Sequence, residues 1–290
     1  MSVGVSCPSA TLVVWTSAWL HGAAAADDVL DALQIWAELH EVVADDDGTA
    51  TALDLPGPDE MPAAPAMLLA ALRRTQAGDG RLVLPVPGDT RGLGGNGPLN
   101  ATALRAGQAM VLPEAGLGIV PRLVADQVIR WTVFDLPEVV PPEHIPLGEA
   151  EHGLAGAMRE AASTLVDLDV ARHRPNVRKE IESVIAAQPL PAWPNGMPSR
   201  SLRVLQRATE VAAILEVAAG DAPGGALSAS ATRARQEALR PLTDAVRRAR
   251  CAAVDEAVRV LSEHANKSRD RKSTRLNSSH YGLSRMPSSA

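Results

Sequence analysis

Apolar and polar positions follow two rhythms in the first half of this chain and one in the second. Thr11–Ser17 (TLVVWTS) is a short, continuous apolar and β-branched run, which predicts a buried strand. From Ala25 to Ala44 the period lengthens. Val29, Leu30, Leu33, Trp36, Ala37 and Leu39 fall at helical spacing, and Asp27 and Asp28 suit the positive end of one long helix. Thr49–Leu55 (TATALDL) predicts a second strand, closed by Pro56-Gly57-Pro58. Pro65–Ala77 predicts a helix that stops at Gly78-Asp79-Gly80, and Arg81–Val86 (RLVLPV) a third strand. A short helix around Leu99–Gly107 leads to two apolar runs, 109–113 and 117–124, that read as a hairpin, and Gln127–Leu136 reads as a last strand. This alternation predicts an α/β domain over residues 1–136 with a mixed, mostly parallel sheet.

Pro137–Pro146 contains four prolines, which excludes a regular helix and suits a linker over residues 137–146. Everything after it has the helical period, predicting an α-helical domain over residues 147–269. Leu147, Leu154, Met158, Ala161, Leu165 and Leu168 form one stripe; a short helix follows from Asn176, and another runs from Ser199 or Ser201 to Gly220. The last helix, from about Ser228 to His264, is long. Leu239, Leu242, Val246, Ala249 and Ala253 alternate spacings of three and four, a seam for a helical partner or a second copy of the chain, and Pro241 interrupts it.

Composition narrows the function classes. The apolar share of 46% supports a sizeable core, built from Ala, Leu and Val because aromatic residues make up only 2%. The net charge of −6 opposes phosphate backbones, so general nucleic-acid binding is not expected. Cys7 and Cys251 show no ligand spacing, and two free thiols suit a reducing cytoplasm. The apolar N-terminal stretch has no Lys or Arg before it, unlike a secretory signal, and no apolar run is long enough to cross a membrane.

Candidate chemistry concentrates in the Gly-rich loop 88–98, within Pro85–Asn100 (PVPGDTRGLGGNGPLN). It follows a predicted strand and precedes a predicted helix, where an α/β sheet binds ligands and where a helix start favours anions. Arg91 could pair with a carboxylate or phosphate and Asp89 could orient it, with Gly94, Gly95 and Asn96 offering backbone and amide groups; the loop matches neither dinucleotide nor P-loop fingerprints. Glu149 and His152 have a Glu-x-x-His spacing, but no second such motif completes a di-iron site. Asp169 and His173 are four apart, the spacing expected of a local pair at a helix end. Cys251 follows Arg247, Arg248 and Arg250, whose charges could lower its pKa, while an apolar seam position would leave it inert. No catalytic constellation or cofactor emerges. Two readings stand: a non-enzymatic interaction or regulatory protein using its helical domain, or a small-anion or nucleotide-binding α/β protein using loop 88–98.

The preference for Arg over Lys, with abundant Ala, Pro, Gly and Asp, points to a high-GC genome, and the body to about Arg269 resembles uncharacterised conserved proteins of actinobacteria. The tail, residues 270–290, is basic and Ser-rich. Asp270–His280 (DRKSTRLNSSH) resembles the translation of a common short-read sequencing adapter, and Ser284–Ala290 (SRMPSSA) the translation of its continuation in the same frame. The expectation is that this tail is not native and that the helical domain is truncated near residue 269.

Overall fold

A buried helix, rather than a strand, opens the architecture. In the computed structural model, which describes residues 6–136, 144–167, 177–220 and 229–281, helix α1 spans Pro8–Leu20. Pro8 sits in its first turn, where a missing N–H costs nothing. Leu12, Val13, Val14, Thr16, Ala18 and Trp19 are all buried, so α1 is apolar all round and carries no one-sided stripe. A run of that kind cannot be told from a strand by periodicity, and packing overrides the β-branched preference.

Two further expected elements change. The long helix over Ala25–Ala44 divides into α2 (Ala26–Leu33) and strand β1 (Leu39–Ala44). The expected strand at Thr49–Leu55 is helix α3 (Asp47–Leu53). Asp46 caps it, its carboxylate accepting from the Thr49 amide at 2.7 Å, and Asp54 ends it in the left-handed conformation. Helix α4 (Pro65–Arg74), β2 (Arg81–Val83), α5 (Pro98–Ala106), β3 (Ala109–Leu112), β4 (Leu117–Ala125) and β5 (Val128–Asp135) follow the pattern read from the sequence.

The sheet is mixed, in the order β1-β5-β4-β3-β2. Only β1 and β5 pair in parallel, from Leu39 opposite Val128 to Ala44 opposite Val133; β2–β3, β3–β4 and β4–β5 are antiparallel. The mostly parallel balance expected from sequence relied on strands at 11–17 and 49–55. With those two runs helical, four consecutive strands remain as a meander, and β1 adds the single parallel edge.

Helices α6 (Leu147–Asp167), α7 (Val177–Ala186), α8 (Ser199–Gly220) and α9 (Ala229–Tyr281) form the helical part. Helix α9 belongs to two cores. Its seam residues Leu242, Val246, Ala249 and Ala253 are buried with Leu147 and Leu154 of α6 and Val204, Ala208 and Val211 of α8. One to two turns later, Val254, Ala257, Val258 and Leu261 enter the main core with Leu12, Val13 and Val14 of α1, Leu68 and Leu72 of α4, and Met110, Ile119 and Trp131 of the sheet. The seam is thus filled by the chain's own helices α6 and α8.

On the opposite sheet face α5 packs Leu99 and Ala103 against Val83, Val111, Val120 and Phe134. Gly118 permits this: a Cβ there would lie 2.6 Å from Leu99 Cδ2. Under the first face, His40 is buried beside Trp131. The indole Nε1–H donates to His40 Nδ1 at 3.0 Å, which leaves His40 Nε2–H to donate to the Leu33 carbonyl at 2.9 Å. The linker residues 137–143, the Asp169–His173 pair and tail residues 282–290 lie outside the described residues.

Candidate functional site

The strand β2 runs into a tight turn at Val86-Pro87-Gly88-Asp89. Val86 N–H donates to the Asp89 carbonyl at 3.0 Å and Asp89 N–H to the Val86 carbonyl at 2.8 Å, and Gly88 takes the positive φ (+89°) that the turn needs. The turn aims Asp89 at α9. The Asp89 carboxylate accepts from Arg247 Nη2 at 2.7 Å and from Arg91 Nε and Nη2 at 2.9 and 3.1 Å. The Arg247 side chain is only 10% exposed, against 27% for Asp89 and 70% for Arg91, so the strong half of this network is the one reaching α9. Hydrogen bonds from Arg91 hold the Asp89 carboxyl below the usual carboxylate range; burial opposes this, and the Arg247 charge reinforces it.

Beside the network lies a cleft of about 170 Å³ between the β2 segment and α9. Arg81, Asp89 and Arg91 line one wall; Arg247, Arg248, Cys251 and Asp255 line the other. Four guanidinium groups therefore face two carboxyls. One of those carboxyls is hard to ionise: burial pushes Asp255 up to about 6, against the opposing charges of Arg81 and His144. Arg247 Nη1 also reaches Asp244 at 3.4 Å, but its Nε is buried without a hydrogen-bond partner. Arg248 is exposed at the cleft mouth.

The arginines beside Cys251 do not activate it. Burial raises the thiol far above its usual value, with the charges of Asp255 and Cys7 adding to the rise and Arg247 only partly opposing it. Cys251 is a neutral thiol in the cleft wall, the inert alternative of the two read from sequence. Arg250 is buried on the other flank of α9, where burial lowers its pKa and Cys7 and Cys251 are its electrostatic neighbours.

Of the residues read from the loop, Asp89 and Arg91 line this cleft; Gly94, Gly95 and Asn96 do not. Gly94 and Gly95 have positive φ and lead the chain into α5, and the Gly95 carbonyl accepts from Asn100 Nδ2 at 2.7 Å. Gly95 and Asn96 face solvent, while Leu99 and Asn100 in the first turn of α5 are buried. That glycine run is a structural turn. Sequence reasoning placed no role on Arg81 or Asp255. Arg247 and Arg248 were visible only as a charge cluster, because the Asp89 partner of Arg247 lies 158 residues away.

His152 is exposed on α6, and among the described residues no group of three or more His, Cys, Asp or Glu side chains is placed to hold a metal ion. Among the described residues no helix is long and apolar enough to cross a membrane.

Comparison with known proteins assigns the two walls of the cleft to two recognised units. The family model described as the N-terminal domain of Rv1486c-like proteins matches residues 9–145, and that described as their C-terminal domain matches residues 148–251. The uncharacterized protein Rv1486c of Mycobacterium tuberculosis is 39% identical over 280 residues, covering 86% of this chain and 96% of its own length. The chain belongs to the Rv1486c-like family. A further relative, the uncharacterized protein ML1804 of Mycobacterium leprae, is 35% identical over 287 residues with the same coverage, and the uncharacterized protein MAV321 of Mycobacterium avium is 34% identical over 295. No solved structure matches the chain. In this Rv1486c-like protein the wall with Asp89 and Arg91 falls in the first family unit, and Arg247, Arg248 and Cys251 in the second.

Proposed function

We propose that this Rv1486c-like protein is a non-enzymatic binding protein for a small anion of phosphate or sulfate size, taken up in the cleft between the β2 segment and α9. The observation that carries this reading is the cleft itself, where four arginines, one of them the nearly buried Arg247, face two carboxyls. Guanidinium groups gathered with too few acceptors are costly, and an anion would supply one. The volume of about 170 Å³ is below the ~300–1,000 Å³ of pockets for drug-sized ligands, so it suits an inorganic oxyanion better than a whole nucleotide. Arg247 would be the buried anchor and Arg248 and Arg91 the exposed clamps, with Asp89 orienting Arg91 and Arg247. The protonated Cys251 supports binding rather than nucleophilic chemistry. Free thiols at Cys7 and Cys251 fit a reducing compartment such as the cytoplasm. Self-association through the α9 seam is not part of this reading, since α6 and α8 already occupy it.

Thermal-shift titration with sulfate and with phosphate at constant ionic strength tests the proposal. Saturable stabilisation is expected, reduced by Arg248→Ala and by Arg91→Ala, neither of which removes buried packing. No stabilisation, or stabilisation unchanged in Arg248→Ala, contradicts it.

A further inference from the structure

A second, larger concavity lies on the open face of the sheet. Helix α5 covers only part of the face that carries Val120 and Phe134, and beside it opens a trough that is part of a concavity of about 850 Å³, whose lining also takes in Pro8, Trp36, Leu123 and Ile129 from the other face. Its floor includes Val43, Thr132 and Phe134, and Arg105, Arg122 and Arg130 line it.

The strand register puts these charges in an unusual row. Arg122 on β4 lies directly opposite Arg130 on β5, and Arg130 lies opposite Glu41 on β1. Like charges facing each other across a ladder are unfavourable unless something neutralises them. Glu41 serves one of the two: its Oε2 accepts from Arg130 Nε at 3.0 Å and from Nη2 at 2.8 Å. Arg122 is exposed and has no ion-pair partner among the described residues. Arg105, from the last turn of α5, donates only to the Thr102 hydroxyl, at 3.2 Å. The two carboxylates that also line the trough, Asp45 and Asp126, sit at opposite ends of it: Asp45 follows the end of β1, and Asp126 is in the β4–β5 turn. Neither forms an ion pair with Arg105 or Arg122.

We infer that this trough binds a small organic anion, with its carboxylate, sulfonate or phosphate group between Arg122 and Arg105 and its body over Thr132, where only the edges of the buried Val43 and Phe134 reach the surface. The whole concavity falls within the ~300–1,000 Å³ of pockets for small organic ligands, unlike the cleft beside α9, and the trough on the α5 face is one part of it. Its mixed lining, apolar and polar groups with arginines along it and a carboxylate at each end, is what fixes orientation as well as affinity. The inference does not rest on the cleft, with which the trough shares no lining residue.

The test uses the full chain and the fluorescent aromatic sulfonate 8-anilinonaphthalene-1-sulfonate. Saturable binding at one site per chain is expected. Arg122→Glu and Arg105→Glu should each weaken it about tenfold or more, the scale of losing a charge-assisted hydrogen bond. Thr132→Trp, which fills the trough without removing a charge, should abolish it. Arg248→Ala, in the other cleft, should leave it within about twofold, far less than one lost charge-assisted contact. Thermal midpoints near that of the parent chain establish that the variants are folded. Absence of saturable binding, or affinity unchanged in Arg122→Glu, overturns the inference.

Discussion

Asp89 and Arg247 are 158 residues apart in sequence, and their carboxylate and guanidinium meet at 2.7 Å. The contact joins the turn after β2 to the middle of α9, where one long helix passes from the helical core into the core beneath the sheet. It also forms the edge of the cleft in which the anion is proposed to bind.

Because Arg247 is nearly buried, this pair should matter to stability while the exposed Arg91 pair should not. Asp89→Ala leaves a buried guanidinium with a single weaker partner and is expected to cost about 1–3 kcal/mol. Arg91→Ala is expected to cost no more than about 1 kcal/mol. Urea denaturation of both variants checks the order; equal losses would mean that Asp89 acts mainly through Arg91.

Asp255 gives a pH-dependent prediction. Its folded value of about 6 lies above the ordinary carboxyl value, so the folded state holds a proton that the unfolded state has released between about pH 4 and 6. Stability should therefore fall as pH rises through that window, with the penalty complete above about pH 6. Asp255→Asn removes the penalty and should stabilise the protein at pH 7.5 by on the order of 1–3 kcal/mol, the gain shrinking towards zero near pH 4. Denaturation curves at the two pH values decide the matter, and an Asn variant less stable than the parent at pH 7.5 would contradict the assignment.

His40 should keep its neutral form to lower pH than an ordinary histidine. Burial lowers its pKa, and protonating Nδ1 would break the bond it accepts from Trp131. An NMR titration of the imidazole should give a midpoint below the usual value of about 6.5. Trp131→Phe removes the donor, leaves Nδ1 buried and unpaired, and should cost about 1–3 kcal/mol beyond lost packing.

The passage of α9 through both cores predicts coupled unfolding. Leu261→Ala, on the stretch of the helix that lies under the sheet, should destabilise the sheet region by about 2–5 kcal/mol. Trp fluorescence and far-UV circular dichroism should report one coincident transition in the parent chain. Two separated transitions would show that the helical part and the sheet part are energetically independent.

Much of this fold was legible from residue patterns. The meander from Arg81 to Asp135 follows alternating apolar runs punctuated by Gly and Pro, and the helical second half follows its stripes. The failures have physical causes. Helix α1 is buried on every side, so the run around Leu12–Val14 lacks the one-sided period that marks an amphipathic helix. Helix α3 depended on Asp46 as an N-cap, a signal hidden in a run of three aspartates. In β1, His40 and Glu41 mask a strand whose Val42 and Ala44 are core residues.

The site was half legible for a different reason. A Gly-rich loop after a strand drew attention to Asp89 and Arg91, which do line the cleft, and also to Gly94, Gly95 and Asn96, whose backbone serves the entry to α5. The second wall comes from α9, and nothing local to residues 81–100 announces Arg247 or Asp255. Likewise, Arg122 and Arg130 become a facing pair only once the β4–β5 register is known.

The most direct measurement is a crystal of the full chain soaked in selenate, a sulfate analogue with an anomalous signal. An anomalous peak is expected in the cleft between β2 and α9, within hydrogen-bonding distance of Arg247 and Arg248, and is expected to be lost in Arg248→Ala. Selenate found only elsewhere on the surface, or a cleft peak unchanged in Arg248→Ala, would contradict it.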